Sequence, residues 1–323
     1  MQKSKSAEIK SQKKPVKLRI KNSFIPWSFP EIVAVNDGLF QKEGLDVELY
    51  TMKSSDVEPS DKINWYKSLV ENGKVDAYSC CAWAALDRLS EGGKKKIVGA
   101  TSSTNYAFSI FVKKGSKIKN VEGLRNVEVL VNLKTGSHYC NLRQLEEVIP
   151  YEDIRLVHGG APHTRLLSLM KDECEAAALI SPYSEIATEL GFRKVFETNT
   201  VDVLAFIAKT ELKEEQTTSL LKVLNEAIRN VKKDPEKYRP LYLKILKQTL
   251  EDYPSPQRTE ALKAVKKLQN LVPVVQWGEL KPYAEETFNT IEKWMTSHSL
   301  LESDISYEAL VNNRPLSKMI SSK

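Results

Sequence analysis

The stretch NLKTGSHYCN, residues 132–141, sets a turn of small residues directly ahead of a histidine and a cysteine one residue apart. Two chemistries suit those residue types. His138 and Cys140 would make a nucleophile pair or share a metal if their side chains met. Thr135, Gly136 and Ser137 would instead cradle an anion, offering hydroxyls and backbone N–H groups at a positively polarised helix start. Geometry separates the two. On a helix, residues two apart point about 200° away from each other, whereas groups acting on one atom need spacings of three or four. The turn is therefore the better candidate, with His138 at most a contact and Cys140 a small buried hydrophobe. Ser137 also suits an ordinary helix cap that holds no ligand.

Other chemistry-bearing residues fall at similar junctions. Ser79, Cys80 and Cys81 end a short apolar run and could line a pocket, with Trp83 packed behind them. Phe24, Trp27 and Phe29, in FIPWSFP, supply aromatic cover for a ring or chain, although such clusters equally build cores. Gly160, His163 and Arg165 lie in GGAPHTR; the arginine could meet an acidic group or stand solvated at the surface. Ser181 and Tyr183 flank a proline at another strand-to-helix turn, and Ser103 and Thr104 sit in the polar TSSTN segment. With four histidines and no CxxC or HExxH spacing, neither a metal site nor a cofactor is expected.

These positions need elements to hold them. VKLRIKN, LDVELYTM and VDAYS read as strands between the helical patterns FPEIVAVNDGLFQKEG, DKINWYKSLVENG and AWAALDRLSE. The alternation restarts with NVEVLVN, DIRLVHG, EAAALIS and RKVFET, each followed or preceded by a helical stretch. SLLKVLNEAIRNV then opens a helical C-terminal region with an apolar stripe at Leu220, Leu224, Ala227, Ile228 and Val231. The expected fold is α/β with two lobes, each a mainly parallel sheet with helices on both faces. Lobe I takes residues 16–105 and 199–323, lobe II residues 106–198, and residues 1–15 form a disordered basic tail. Two crossings between the lobes make a hinge, with a cleft at the carboxyl ends of the strands.

The bulk properties narrow the partners. Net charge is +6, of which residues 1–21 contribute +7, so the body is near neutral and gives no basic face for nucleic acid. No run of about 18 apolar residues is present to span a membrane. Four cysteines, two of them adjacent, do not make a disulfide framework. Reduced thiols and the lack of an apolar leader predict a cytoplasmic protein.

GLFQKEGLDVEL, GKVDAYSCCAW, GSHYC and CEAAALISPYSEIATELGF resemble the substrate-binding proteins of nitrate, sulfonate and taurine transporters, a superfamily that includes the fungal thiamine-pyrimidine synthases. The resemblance covers residues 17–300 and implies a type II periplasmic-binding-protein-like fold, most similar to the cytosolic fungal and bacterial members. In the synthases, a lysine that holds pyridoxal phosphate and a sacrificial histidine lie four and eight residues after the aspartate of GKVD. Counted from Asp76, those positions are Cys80 and Ala84, and the synthases' CCCFC run is missing.

The expectation is a protein that closes two lobes around a small anionic or heterocyclic molecule, with no catalytic residue assigned. Its ligand-binding candidates are Trp27, Ser79, Cys80, Cys81, Ser103, Thr104, Thr135, Gly136, Ser137, His138, Gly160, His163, Arg165, Ser181 and Tyr183. One alternative is an enzyme on the same scaffold using Cys80, His138, Cys140 or His158. The other is a transporter-linked receptor without its leader.

Overall fold

The computed structural model describes residues 15–22, 25, 27–51, 73–102, 107–199, 203–301 and 304–321. The expected basic tail, the helix expected near residues 61–72, and Ser103 and Thr104 lie outside them. The strands are β1 Val16–Asn22, β2 Leu45–Thr51, β3 Ala77–Cys81, β4 Lys95–Ser102, β5 Phe108–Val112, β6 Glu128–Val131, β7 Arg155–His158, β8 Ala176–Ile180, β9 Arg193–Glu197 and β10 Val203–Lys209. They form two five-stranded sheets, β2-β1-β3-β10-β4 and β7-β6-β8-β5-β9.

The two sheets share one topology. β1 pairs in parallel with β2 and β3, while β10 runs antiparallel to β3 and β4. Likewise β6 pairs in parallel with β7 and β8, while β5 runs antiparallel to β8 and β9. The sheets are thus mixed rather than uniformly parallel: four strands point one way and the fourth in order is reversed. The chain path explains the reversal. β4 and β9 end at the cleft, so β5 and β10, which follow them into the opposite lobe, must begin there. The inner strands β3, β5 and β8 are buried along their whole length. Such strands read as continuous apolar runs because both faces are covered.

Helices close both faces. Those of the first half are α1 Phe29–Asn36, α2 Leu39–Lys42, α3 Ala82–Ser90, α4 Gly136–Leu145, α5 Pro162–Met170 and α6 Tyr183–Glu189; the C-terminal set is α7 Glu214–Lys233, α8 Pro235–Glu251, α9 Gln257–Leu268, α10 Glu285–Ser297, α11 Tyr307–Leu310 and α12 Arg314–Ser321. The edge of β4 is covered: Lys281 bridges Ala100 and Val311 bridges Ile97, which removes an open row of backbone groups. None of the described helices is long and apolar enough to cross a membrane.

C-terminal helices also tie the two sheets together at two places. At one, Lys267 of α9 reaches Glu189 of α6 at 2.8 Å, and the Tyr253 hydroxyl donates to the His163 carbonyl. At the other, Glu146 at the end of α4 accepts from Trp294 Nε1 at 2.8 Å and pairs with His298 Nε2 at 2.7 Å. Trp83 of α3 stacks there on Tyr139 of α4 and meets Trp294 edge-on, with centroids 6.2 and 5.3 Å apart. Glu146→Ala should remove both hydrogen bonds while keeping the rings, for a loss of about 1–3 kcal/mol in urea unfolding. Small-angle scattering should show a larger radius of gyration for the variant. An unchanged radius and midpoint would mean that the joint carries no load.

Candidate functional site

The strand ends converge on one pocket between the sheets, a cavity of about 50 Å³ that opens to solvent. From the first sheet and its helices come Trp27, Ser79, Cys80, Cys81, Ala84 and Arg88; from the second come Phe108, Asn132, Thr135, Gly136, Ser137, Pro162 and Arg165.

Each group has a local cause. β3 ends at Cys81, whose Sγ caps α3 by accepting from the Ala84 N–H at 3.4 Å. Cys81, Ala84 and Arg88 then follow at spacings of three and four, so one face of α3 looks into the pocket. In the second sheet, the Thr135 hydroxyl does not cap α4; it donates to the Asn132 carbonyl at 2.6 Å. Ser137 Oγ accepts from the Asn132 N–H at 2.9 Å. Both hydroxyls therefore fix the turn, and the helix start with its backbone N–H groups is what faces the pocket. Lys134, at φ +58°, makes the sharp bend.

Arg165, a ligand-binding candidate, lines the pocket rather than standing solvated at the surface. It is 1% exposed, and its Nε donates to the Ala178 carbonyl at 2.6 Å while Nη1 donates to Gly160 O. A guanidinium stays cationic even when buried, and here two of its donors are used on backbone carbonyls. Arg88 is 5% exposed and faces it from the other lobe.

Behind the first-lobe wall lies a buried ionisable group. Ser79 Oγ donates to Glu31 Oε1 at 2.5 Å, and Glu31 is 1% exposed. Burial raises the Glu31 carboxyl to about 7, against the Ser79 hydrogen bond and nearby Lys21. Burial and then the Arg88 charge push the buried Lys21 ammonium well below its usual range.

The remaining candidates stand elsewhere. His138 and His163 are half-buried off the lining, and burial holds each near 4, with Lys134 and Arg165 respectively adding repulsion. Both are neutral imidazoles at physiological pH and offer no positive charge. The turn of 100° per residue carries His138 away from the face held by Gly136 and Ser137, and His163 away from that of Pro162. Tyr183 is fully buried in the core, and Ser181, half-buried, is off the pocket lining. Gly160 serves through its carbonyl, which accepts from Arg165, and through a φ of +71°. Arg88, Phe108, Asn132, Ala84 and Pro162 were not expected. For Arg88 a signal existed in the three-and-four spacing after Cys81; Phe108, at the start of a reversed strand, had none. Among the described residues no cluster of three His, Cys, Asp or Glu could hold a metal.

The architecture and cleft are those of the two-lobed periplasmic-binding-protein fold. No protein-family model matches the sequence, and no curated protein matches it. Solved structures do. The alkanesulfonate-binding protein SsuA from Xanthomonas axonopodis pv. citri, bound to MOPS, is similar with TM-score 0.68 at 15% identity, covering 90% of this chain and 96% of that one. The periplasmic aliphatic sulphonate-binding protein SsuA from Escherichia coli gives TM-score 0.65 at 17% identity, over 92% and 97%. The Candida albicans CA3427 gene product, described as defining a new family with the generic periplasmic-binding-protein fold, gives 0.60 at 12%, over 95% of each chain.

Two outcomes follow for the site's supports. A Cβ on Gly159 would lie 2.7 Å from Leu130 Cβ and 3.1 Å from Arg165 Cγ. Gly159→Ala should therefore destabilise the fold by about 1–3 kcal/mol, read by urea unfolding; a neutral substitution would mean that the loop yields freely. Glu31 gives a pH signature. Its folded value is raised from 4.5 to about 7, so its stabilising contribution is complete below pH 4.5 and is lost as pH rises to 7. Glu31→Gln should match the wild type near pH 4.5 and exceed it at pH 8 by on the order of 3 kcal/mol. A variant no more stable at pH 8 would contradict the raised value.

Proposed function

We propose that this chain is a cytoplasmic small-molecule-binding protein that closes its lobes, residues 16–105 with 199–323 and residues 106–198, around a compact anionic or heterocyclic ligand. The observation that carries the reading is the pair of buried guanidiniums, Arg88 and Arg165, lining one pocket from opposite lobes. Both guanidiniums stay cationic at any physiological pH, and an anion in the space that they line gains favourable Coulomb energy from each. The α4 helix start adds backbone donors of the same polarity. Trp27 and Phe108 give an apolar wall for the ligand's organic part. The sulfonate ligands of the similar proteins support an oxyanion head group. The cytoplasmic assignment rests on the sequence alone, through its thiols.

Cys80 and Ala84 both line the pocket. These are the positions at which the thiamine-pyrimidine synthases carry a lysine and a histidine, and a thiol and a methyl group supply neither reagent. That supports binding over the synthases' chemistry.

Titration calorimetry with methanesulfonate, benzenesulfonate, acetate, benzoate, inorganic phosphate and a neutral pyrimidine tests the reading. At least one anion should bind with one-to-one stoichiometry. Arg88→Met should weaken that anion about 10- to 100-fold, the scale of one charge-assisted hydrogen bond. No heat from any member of the panel, or an Arg88→Met variant that binds as tightly, would sink it.

A further inference from the structure

A second layer of the site lies behind Ser79, and it bears on how an anion would be held. We propose that Glu31, acting through Ser79, couples anion binding in this cleft to uptake of one proton from solvent; this rests on the anion-binding reading above.

Ser79 lines the pocket and is 4% exposed, and its Oγ gives its only hydrogen to Glu31 Oε1 at 2.5 Å. A hydroxyl has one proton to donate. While the carboxylate takes it, Ser79 presents only lone pairs toward the pocket and repels an oxyanion. When Glu31 is protonated, the bond reverses: the carboxyl O–H donates to Ser79 Oγ, and the serine hydrogen turns to the ligand. The same proton removes a buried negative charge from behind the wall, so the hydrogen-bond and Coulomb effects have one sign. Glu31 is a positioning residue in this scheme, and Ser79 is the group that touches the ligand.

The surroundings favour the switch. Among the described residues, Lys21 on β1 acts on Glu31, and Cys80 on β3 and Arg88 of α3 act on Lys21. β2 turns Leu45 and Val47 inward and leaves Asp46 and Glu48 exposed; α2 buries Leu39 and Phe40 and exposes Lys42. The buried residues of α7 are Thr217, Asn225 and aliphatics, none of which titrates. From α8 the Tyr242 ring meets Phe29 edge-on at 5.0 Å, and burial pushes its phenol up, so it stays neutral. With burial holding the carboxyl at about 7, a modest extra pull from a bound anion protonates it in the physiological range.

Methanesulfonate and benzenesulfonate are suitable probes because both remain anionic throughout pH 5–9 and carry no proton of their own. Calorimetry at several pH values, each in buffers of different ionisation enthalpy, counts the protons exchanged. The wild type should take up a fraction of a proton that rises toward one by pH 8.5, and its affinity should fall roughly 30-fold between pH 6 and 8.5. Glu31→Gln should exchange no proton and bind at pH 8.5 as tightly as at pH 6. Ser79→Ala should bind more weakly than the wild type at pH 6. Binding by the wild type without proton uptake, or a Glu31→Gln variant that keeps the pH profile, overturns this inference and leaves the binding reading standing. If neither sulfonate binds at any pH the inference fails, and acetate, benzoate and phosphate then decide the reading itself. The wild-type proton count needs no variant, so misfolding of a substituted protein does not remove the test.

Discussion

The reversal of one strand in each sheet is the constraint from which the pocket follows. β5 and β10 begin at the cleft because the chain has just crossed it. Every other strand then ends there, and the turn after each end delivers side chains or helix starts to the same space. β3 hands over to α3, β6 to α4 and β7 to α5, so the lining is assembled from turns far apart in sequence. The rigid sheets fix those turns relative to one another, which is what a site of few polar groups requires.

Charge within that space is handled by burial rather than by pairing at the surface. Arg165 is locked by two backbone carbonyls, Arg88 lies across from it, and Lys21 and Glu31 sit one layer deeper. Burial disfavours every charged form, and it acts most strongly on groups that can change protonation state. Guanidiniums cannot, so they remain cationic and define the polarity of the pocket. The lysine and the glutamate can, and both move toward neutrality. The result is a pocket whose fixed charge is positive and whose adjustable charge lies out of the ligand's reach.

Much of this was legible in the sequence because strand-to-helix junctions announce themselves by small and polar residues after apolar runs. Ser79, Cys80, Cys81, Thr135, Gly136, Ser137, Arg165 and Trp27 all reach the lining. What failed was direction at the helix starts: one residue further along, His138, His163 and Tyr183 turn off the pocket face. Orientation of this kind depends on how each helix is seated, and seating is set by packing rather than by local spacing. Arg88 shows the converse. Its periodicity was available, yet a cation two turns into an apolar helix gives no hint of which way the helix faces until its neighbours are in place. The reversed strands were hidden for the same reason, since their apolar runs look alike in either direction.

Glu146 takes hydrogen bonds from two residues of the C-terminal helical region, at the end of a helix whose start forms part of the pocket wall. Binding wall and joint are thus opposite ends of one ten-residue rod, α4. Any opening that parts α4 from α10 must first break the Trp294 and His298 bonds and separate the Trp83, Tyr139 and Trp294 rings. Exchange of an occupant that needs such an opening is then a gated process. Its residence time would be set by the rupture of the joint at the far end of the rod, rather than by the grip of the pocket itself.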